Sequence, residues 1–129
     1  MIMAEKLCVT IESFGFKHGI PTEADLVFDV RFLPNPYYVD ELREHTGNEL
    51  AVQEYVMKSG EGEIFLNKLE DMLDFLLPEY DKSGKESITV AIGCTGGHHR
   101  SATIANKIYE RLGNTVSYEL KLVHRDISR

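Results

Sequence analysis

Residues 87–113 read SITVAIGCTGGHHRSATIANKIYERLG. The first eight are apolar on both parities, the mark of a strand buried on two faces inside a parallel sheet. A glycine turn follows. Residues 99–112 then carry Ile104, Ala105, Ile108 and Leu112 at helical spacing, with Gly113 the expected C-cap. After it, TVSYELKLVH puts Val116, Tyr118, Leu120 and Leu122 on one parity, a last strand. Strand, turn, helix and strand in this order predict a parallel pair joined by a right-handed crossover.

The same reading extends towards the N-terminus. KLCVTIESF predicts a strand over about 6–13, and DLVFDVRFL a second over about 26–31. Pro34 and Pro36 stop the second strand. YYVDELREHTGN reads as a short helix ending near Gly47, and ELAVQEYVMKSGEG as another, broken by Gly60 and Gly62. Residues 63–77 have the clearest helical period: Phe65, Leu69, Met72 and Leu76 form a stripe that Leu66, Leu73 and Leu77 widen. Pro78 and the DKSGKE turn are expected to end it. The prediction is an α/β, three-layer-like sandwich with a mostly parallel sheet of about four strands and a glycine-rich β–α phosphate loop.

Composition agrees with one domain over residues 1–129. The chain is 43% hydrophobic and 27% charged, as soluble globular proteins are, and long enough to bury a core without staples. No apolar run reaches the roughly 20 residues of a membrane span. MIMAEKLCVT lacks the layout of a signal peptide, and two distant cysteines in apolar runs are no disulfide framework. A cytoplasmic protein is expected. Net charge is −7, which speaks against a general nucleic-acid binder. Residues 93–129 nonetheless hold 6 Lys/Arg against 3 Asp/Glu. That local excess suits a small anion better than a long polyanion.

If the strands are parallel, four polar clusters meet on one rim, where open sheets bind ligands. Ser13, Lys17 and His18 follow the first strand. Asp29 and Arg31 end the second, with Asn35 beyond. Cys94 to Ser101 follow the third, and His124, Arg125 and Asp126 end the last. In the glycine turn, Gly96 and Gly97 allow positive φ and close approach. Successive N–H groups and the following helix N-terminus favour an anion. Arg100 can grip phosphate oxygens bidentately, and Thr95 and Ser101 offer hydroxyls. The spacing is wrong for a Walker loop. C-x5-R-S, Cys94 to Ser101, is the signature of cysteine-dependent phosphatases, with Asp29 or Asp126 as general acid. Gly93, however, stands where that signature has histidine, and Cys94 reads better as a packed neighbour of the ligand. Cys94, His98 and His99 are a weak metal set. No cofactor or metal is expected. Asp29 with Arg31 could equally be a structural ion pair, and His124, on the apolar parity, a satisfied core histidine. Residues 40–81 hold 12 Asp/Glu against 3 Lys/Arg, an acidic solvated face or a surface for a basic partner.

Five segments, SFGFKHGIP (13–21), FDVRFLPNP (28–36), LREHTG (42–47), TVAIGCTGGHHRS (89–101) and HRD (124–126), occur in an order that resembles the C-terminal domain of the RapZ/YvcJ family. The resemblance implies a non-catalytic sensor domain that binds glucosamine-6-phosphate or a related sugar metabolite. In enterobacterial members it also implies binding of small regulatory RNAs, presented to RNase E. It carries Gly93, Cys94, Thr95, Gly96, Gly97, His99, Arg100 and Ser101 over as the ligand loop; His98 stands where the enterobacterial form has lysine. Family members carry an N-terminal P-loop domain. The chain is read as a stand-alone module without it, and the resemblance implies self-association or a separate nucleotide-binding partner chain. The ligand set expected on these grounds adds Lys17, Asp29, Arg31, Asn35, His98, His124 and Arg125.

Overall fold

In the computed structural model, which describes residues 7–129, SITVAIGC forms an interior strand as its two apolar faces require. Four strands, β1 (Cys8–Gly15), β2 (Leu26–Asp29), β3 (Ser87–Cys94) and β4 (Glu119–His124), pair in the order β2-β3-β1-β4. Every pairing is parallel. The helices are α1 (Asp40–Arg43), α2 (Leu50–Met57), α3 (Glu61–Lys82) and α4 (Arg100–Gly113). Single 3-10 turns form at Phe16–His18 and Pro36–Tyr38. The expected strand start at Lys6 lies outside the described residues.

Register divides the sheet into two faces. Val9, Ile11, Val90, Ile92, Leu120 and Leu122 share one, and the buried residues of α2, α3 and α4 join them in a single core cluster. The other face carries Thr10, Glu12, Phe14, Thr89, Ala91 and Gly93. There Phe16 packs edge-on to Phe14 at 4.8 Å, and a Cβ on Gly93 would strike both rings. On this face the third layer of the sandwich is the 16–25 loop, because small and polar side chains there leave little apolar surface for a helix to cover.

This division follows from topology. The β1–β2 connection passes β3 in one direction, whereas the β3–β4 connection passes β1 in the other. Right-handed crossovers leaving in opposite directions lie on opposite faces. The carboxyl ends of β1 and β3 therefore form the switch point where open α/β sheets carry a crevice.

The elements correct the sequence reading in five places, four of them boundaries. Pro78 does not end α3, which continues to Lys82; Pro78 lies on the exposed side, and the stop comes at Ser83 and Gly84, whose φ is +88°. The buried stripe of α3 is Gly62, Leu66, Leu69, Leu73 and Leu77, while Met72 is 46% exposed. Gly113 is the last helical residue, and the cap is Asn114 at φ −91°. β2 ends at Asp29 because its carboxylate accepts the Arg31 N–H at 2.9 Å and turns the chain. α1 is a single turn, since Gly47 docks on α4, where a Cβ would lie 2.5 Å from the Thr103 nitrogen.

Candidate functional site

The crevice at the switch point holds a cleft of about 350 Å³. Its floor is the turn from β3 into α4. Gly97 adopts φ +83°, and its backbone presses on β1: a Cβ there would stand 2.7 Å from the Gly15 nitrogen. A Cβ on Gly15 would in turn lie 2.5 Å from the Gly96 carbonyl carbon. Only glycines let the ends of β1 and β3 approach this closely. Among the described residues, the N–H groups of Gly96, Gly97, His98 and His99 have no backbone or side-chain acceptor. They stand with the first turn of α4, whose dipole adds partial positive charge.

Arg100 dominates the electrostatics. It is only 6% exposed. One terminal nitrogen donates to the Arg31 carbonyl at 2.6 Å, and the other reaches the Thr95 hydroxyl at 3.5 Å. Its Nε is buried without a partner. No carboxylate among the described residues forms an ion pair with it; the ion pairs engage other arginines. A buried guanidinium with an unsatisfied donor and no counter-ion is costly unless an anion completes it. Lys17 joins it at the cleft, held by its backbone N–H on the Thr95 carbonyl at 3.2 Å.

The other predicted residues separate into three groups. Asn35, Cys94, Thr95, Gly96, His98 and His99 line the cleft. Cys94 is 2% exposed and its thiol donates to the Ser101 hydroxyl at 3.1 Å. His98 donates through Nε2 to the Arg129 carbonyl at 2.9 Å, and His99 to that of Arg43 at 3.1 Å, so the two rings and Cys94 do not converge on a metal. Burial pushes the His99 ring below the ordinary histidine range, against the opposing pull of the Arg43 carbonyl.

Gly93, Gly97 and Ser101 support the floor from within and do not line the cleft.

Asp29, Arg31, His124 and Arg125 also stay off the cleft. Asp29 and Arg31 pair at 2.7 Å, with the guanidinium 4.1 Å above the Phe16 ring. That hydrogen bond holds the Asp29 carboxyl below its usual range. His124 points to the helix face between Ser13 Oγ, 2.6 Å, and Asn106 Oδ1, 3.1 Å, and burial lowers its pKa. Arg125 binds the buried Asp126 at 2.8 Å and the Gly19 carbonyl at 2.6 Å. Burial works to raise the Asp126 carboxyl, but Arg125 and the Gly15 N–H, 2.7 Å away, hold it below the usual range.

Sequence reasoning missed Tyr37 and Tyr38. They read as the start of a helix, yet they form the opposite wall of the cleft, edge to face at 5.6 Å. Tyr38 is 78% exposed. The Asn35 side chain, accepting the Tyr37 N–H at 3.1 Å, sets the turn that presents them. An Asn-Pro before two aromatics was the available signal.

Residues 7–128 match the family model described as RapZ C-terminal domain. A nucleotide-binding protein of Agathobacter rectalis is 54% identical over 125 residues, covering 97% of this chain and 43% of the relative. Proteins with the same description from Clostridium botulinum and Clostridium kluyveri are 54% and 55% identical, over 95% and 97% of this chain and 42% of each relative. The chain spans less than half the length of these relatives.

Proposed function

The chain belongs to the RapZ C-terminal domain family, and on that premise we propose that it is a non-catalytic sensor of a small phosphorylated metabolite, an amino-sugar phosphate such as glucosamine-6-phosphate. The observation that carries this reading is Arg100: a buried residue lining the cleft, with an unsatisfied Nε and no ion-pair partner among the described residues. A phosphate there would accept from Arg100, from the N–H groups of the Gly96–Gly97 turn and from Lys17. The sugar would extend towards Asn35, Tyr37 and Tyr38, an amphipathic wall suited to a hydroxylated ring. A cleft of about 350 Å³ fits a hexose phosphate and little more.

The cysteine-phosphatase alternative draws no comparable support. It requires an accessible thiolate and a protonated acid. Cys94 is buried on Ser101, and Asp29 and Asp126 are both held ionised by arginines. The nucleotide binding in the relatives' names is not assigned to this domain.

Isothermal calorimetry with glucosamine-6-phosphate and inorganic phosphate tests the proposal. Arg100→Ala should weaken binding by about ten- to a hundredfold, the loss of hydrogen bonds to a charged partner. Absence of binding by the wild type, or equal binding by Arg100→Ala, refutes it.

A further inference from the structure

Arg43, the last residue of α1, stands behind the tyrosine wall and does not line the cleft. Its guanidinium holds Tyr37 in two ways: Nε donates to the Tyr37 carbonyl at 2.7 Å, and Cζ lies 5.1 Å from the centre of the ring. A second nitrogen donates to the Asp40 carboxylate at 2.9 Å, which fixes the plane of the fork. The backbone of Arg43 is anchored at both ends. Its N–H donates to the Val39 carbonyl at 2.9 Å, and its carbonyl accepts from the His99 ring at 3.1 Å. His99 is the N-cap of α4 and lines the cleft. One residue therefore joins the floor of the cleft to the wall that faces it. Tyr37 is 55% exposed and sits in a single 3-10 turn, with Asn35 on its N–H and Arg43 on its carbonyl. Tyr38 rests edge to face on the Tyr37 ring, so what fixes Tyr37 fixes both.

We propose that Arg43 is a positioning residue that sets specificity: by holding the tyrosine wall in place, it makes the cleft discriminate a phosphorylated sugar from bare phosphate. This role rests on the anion-binding reading of the same site. The groups that would take the phosphate, Arg100, Lys17 and the glycine turn, stand on or next to β1, β3 and α4, whereas the wall is the 35–38 segment with Arg43 behind it. A sugar ring laid against the wall gains most when the wall is already ordered, because immobilising two exposed side chains on binding costs affinity. Arginine suits the task. Its planar fork serves the Tyr37 carbonyl, the Tyr37 ring and Asp40 together, and a lysine ammonium is a point charge without that geometry.

Calorimetry with glucosamine-6-phosphate and with inorganic phosphate, on wild type and variants, tests the role. Arg43→Met keeps the apolar stem and removes the fork. It should weaken glucosamine-6-phosphate about five- to tenfold, the worth of a placed aromatic contact. Inorganic phosphate should change by less than about twofold, since a charge off the cleft is screened by salt. Arg43→Lys keeps the charge and should lose the same selectivity; it carries the test if Arg43→Met fails to fold. In a Tyr37→Ala background Arg43→Met should have no further effect on the sugar phosphate, because Arg43 acts through the wall. A merely structural role would lower both affinities and would persist without Tyr37. Independently of any ligand, NMR order parameters of the Tyr37 and Tyr38 amides should fall to loop-like values in both Arg43 variants. Equal losses for the two ligands, wild-type selectivity in Arg43→Lys, additive effects in the double variant, or unchanged order parameters overturn the role. If the wild type binds neither ligand, the anion-binding reading falls, and the order parameters still decide whether Arg43 fixes the wall.

Discussion

Arg100 and Cys94 stand on one turn and were both legible as a pair, but burial assigns them different parts. The guanidinium keeps an unsatisfied donor in its buried Nε, whereas the thiol donates a hydrogen bond to the Ser101 hydroxyl. Cys94→Ser should therefore change phosphate affinity by no more than about twofold, since the hydroxyl keeps the bond to Ser101. Iodoacetamide should label Cys8, which is partly exposed, well before Cys94; fast modification of Cys94 would revive the nucleophile reading. His99 and His124 make an opposite demand to that of Glu12. Both rings are held neutral by burial, so the stability they contribute is full above pH 6.5 and is lost as pH falls below it. Glu12, raised to about 7, contributes stability that is full below about 4.5 and lost as pH rises to 7. Thermal melts of Glu12→Gln should fall more steeply on acidification from pH 7 to 5 than those of the wild type, because the opposing Glu12 contribution has been removed. Parallel melts would argue against the raised carboxyl.

Among the elements, strands and helices were read correctly wherever the hydrophobic period was long, as in β3, α4 and β4. Apart from the α3 stripe, where Met72 is exposed, the failures are at ends, where single backbone events compete with the period. Pro78 looked like a stop, but a proline on the outer side of a helix of 22 residues is tolerated when the inner stripe of Leu69, Leu73 and Leu77 is buried across it. Pro78→Ala should restore a helical N–H and stabilise the protein by about 1–3 kcal/mol in urea denaturation; no change would mean that the N–H finds no acceptor there. The glycine turn is the opposite case. Gly97→Ala combines a left-handed φ with contacts under 3 Å to Gly15 and Asp126. It should cost at least about 2 kcal/mol and weaken anion binding with it.

At the scale of the whole molecule, net charge and topology pull the reading in one direction. The chain is −7 overall, and the acidic α1–α3 region covers the helix side of the sheet. A gel-shift series should show no retention of small RNAs by this chain even at low salt, where phosphate-driven affinity is greatest; a salt-sensitive shift would restore the RNA-adapter role that the family resemblance implies. Period, parity and turn chemistry are properties of neighbouring residues, and they suffice for the strands, the parallel β3–α4–β4 unit and the glycine turn at its centre. They also foretell that polar clusters follow each strand. Which clusters share a cleft depends on where each side chain points after the crossovers close, and that is a property of distant residues packing together. His124 turns under α4, Arg125 turns to Asp126, and Asp29 and Arg31 satisfy each other. Tyr37 and Tyr38, 58 and 57 residues before Thr95 in the chain, come to face it. Arg100 is withdrawn from water, and no carboxylate among the described residues forms an ion pair with it.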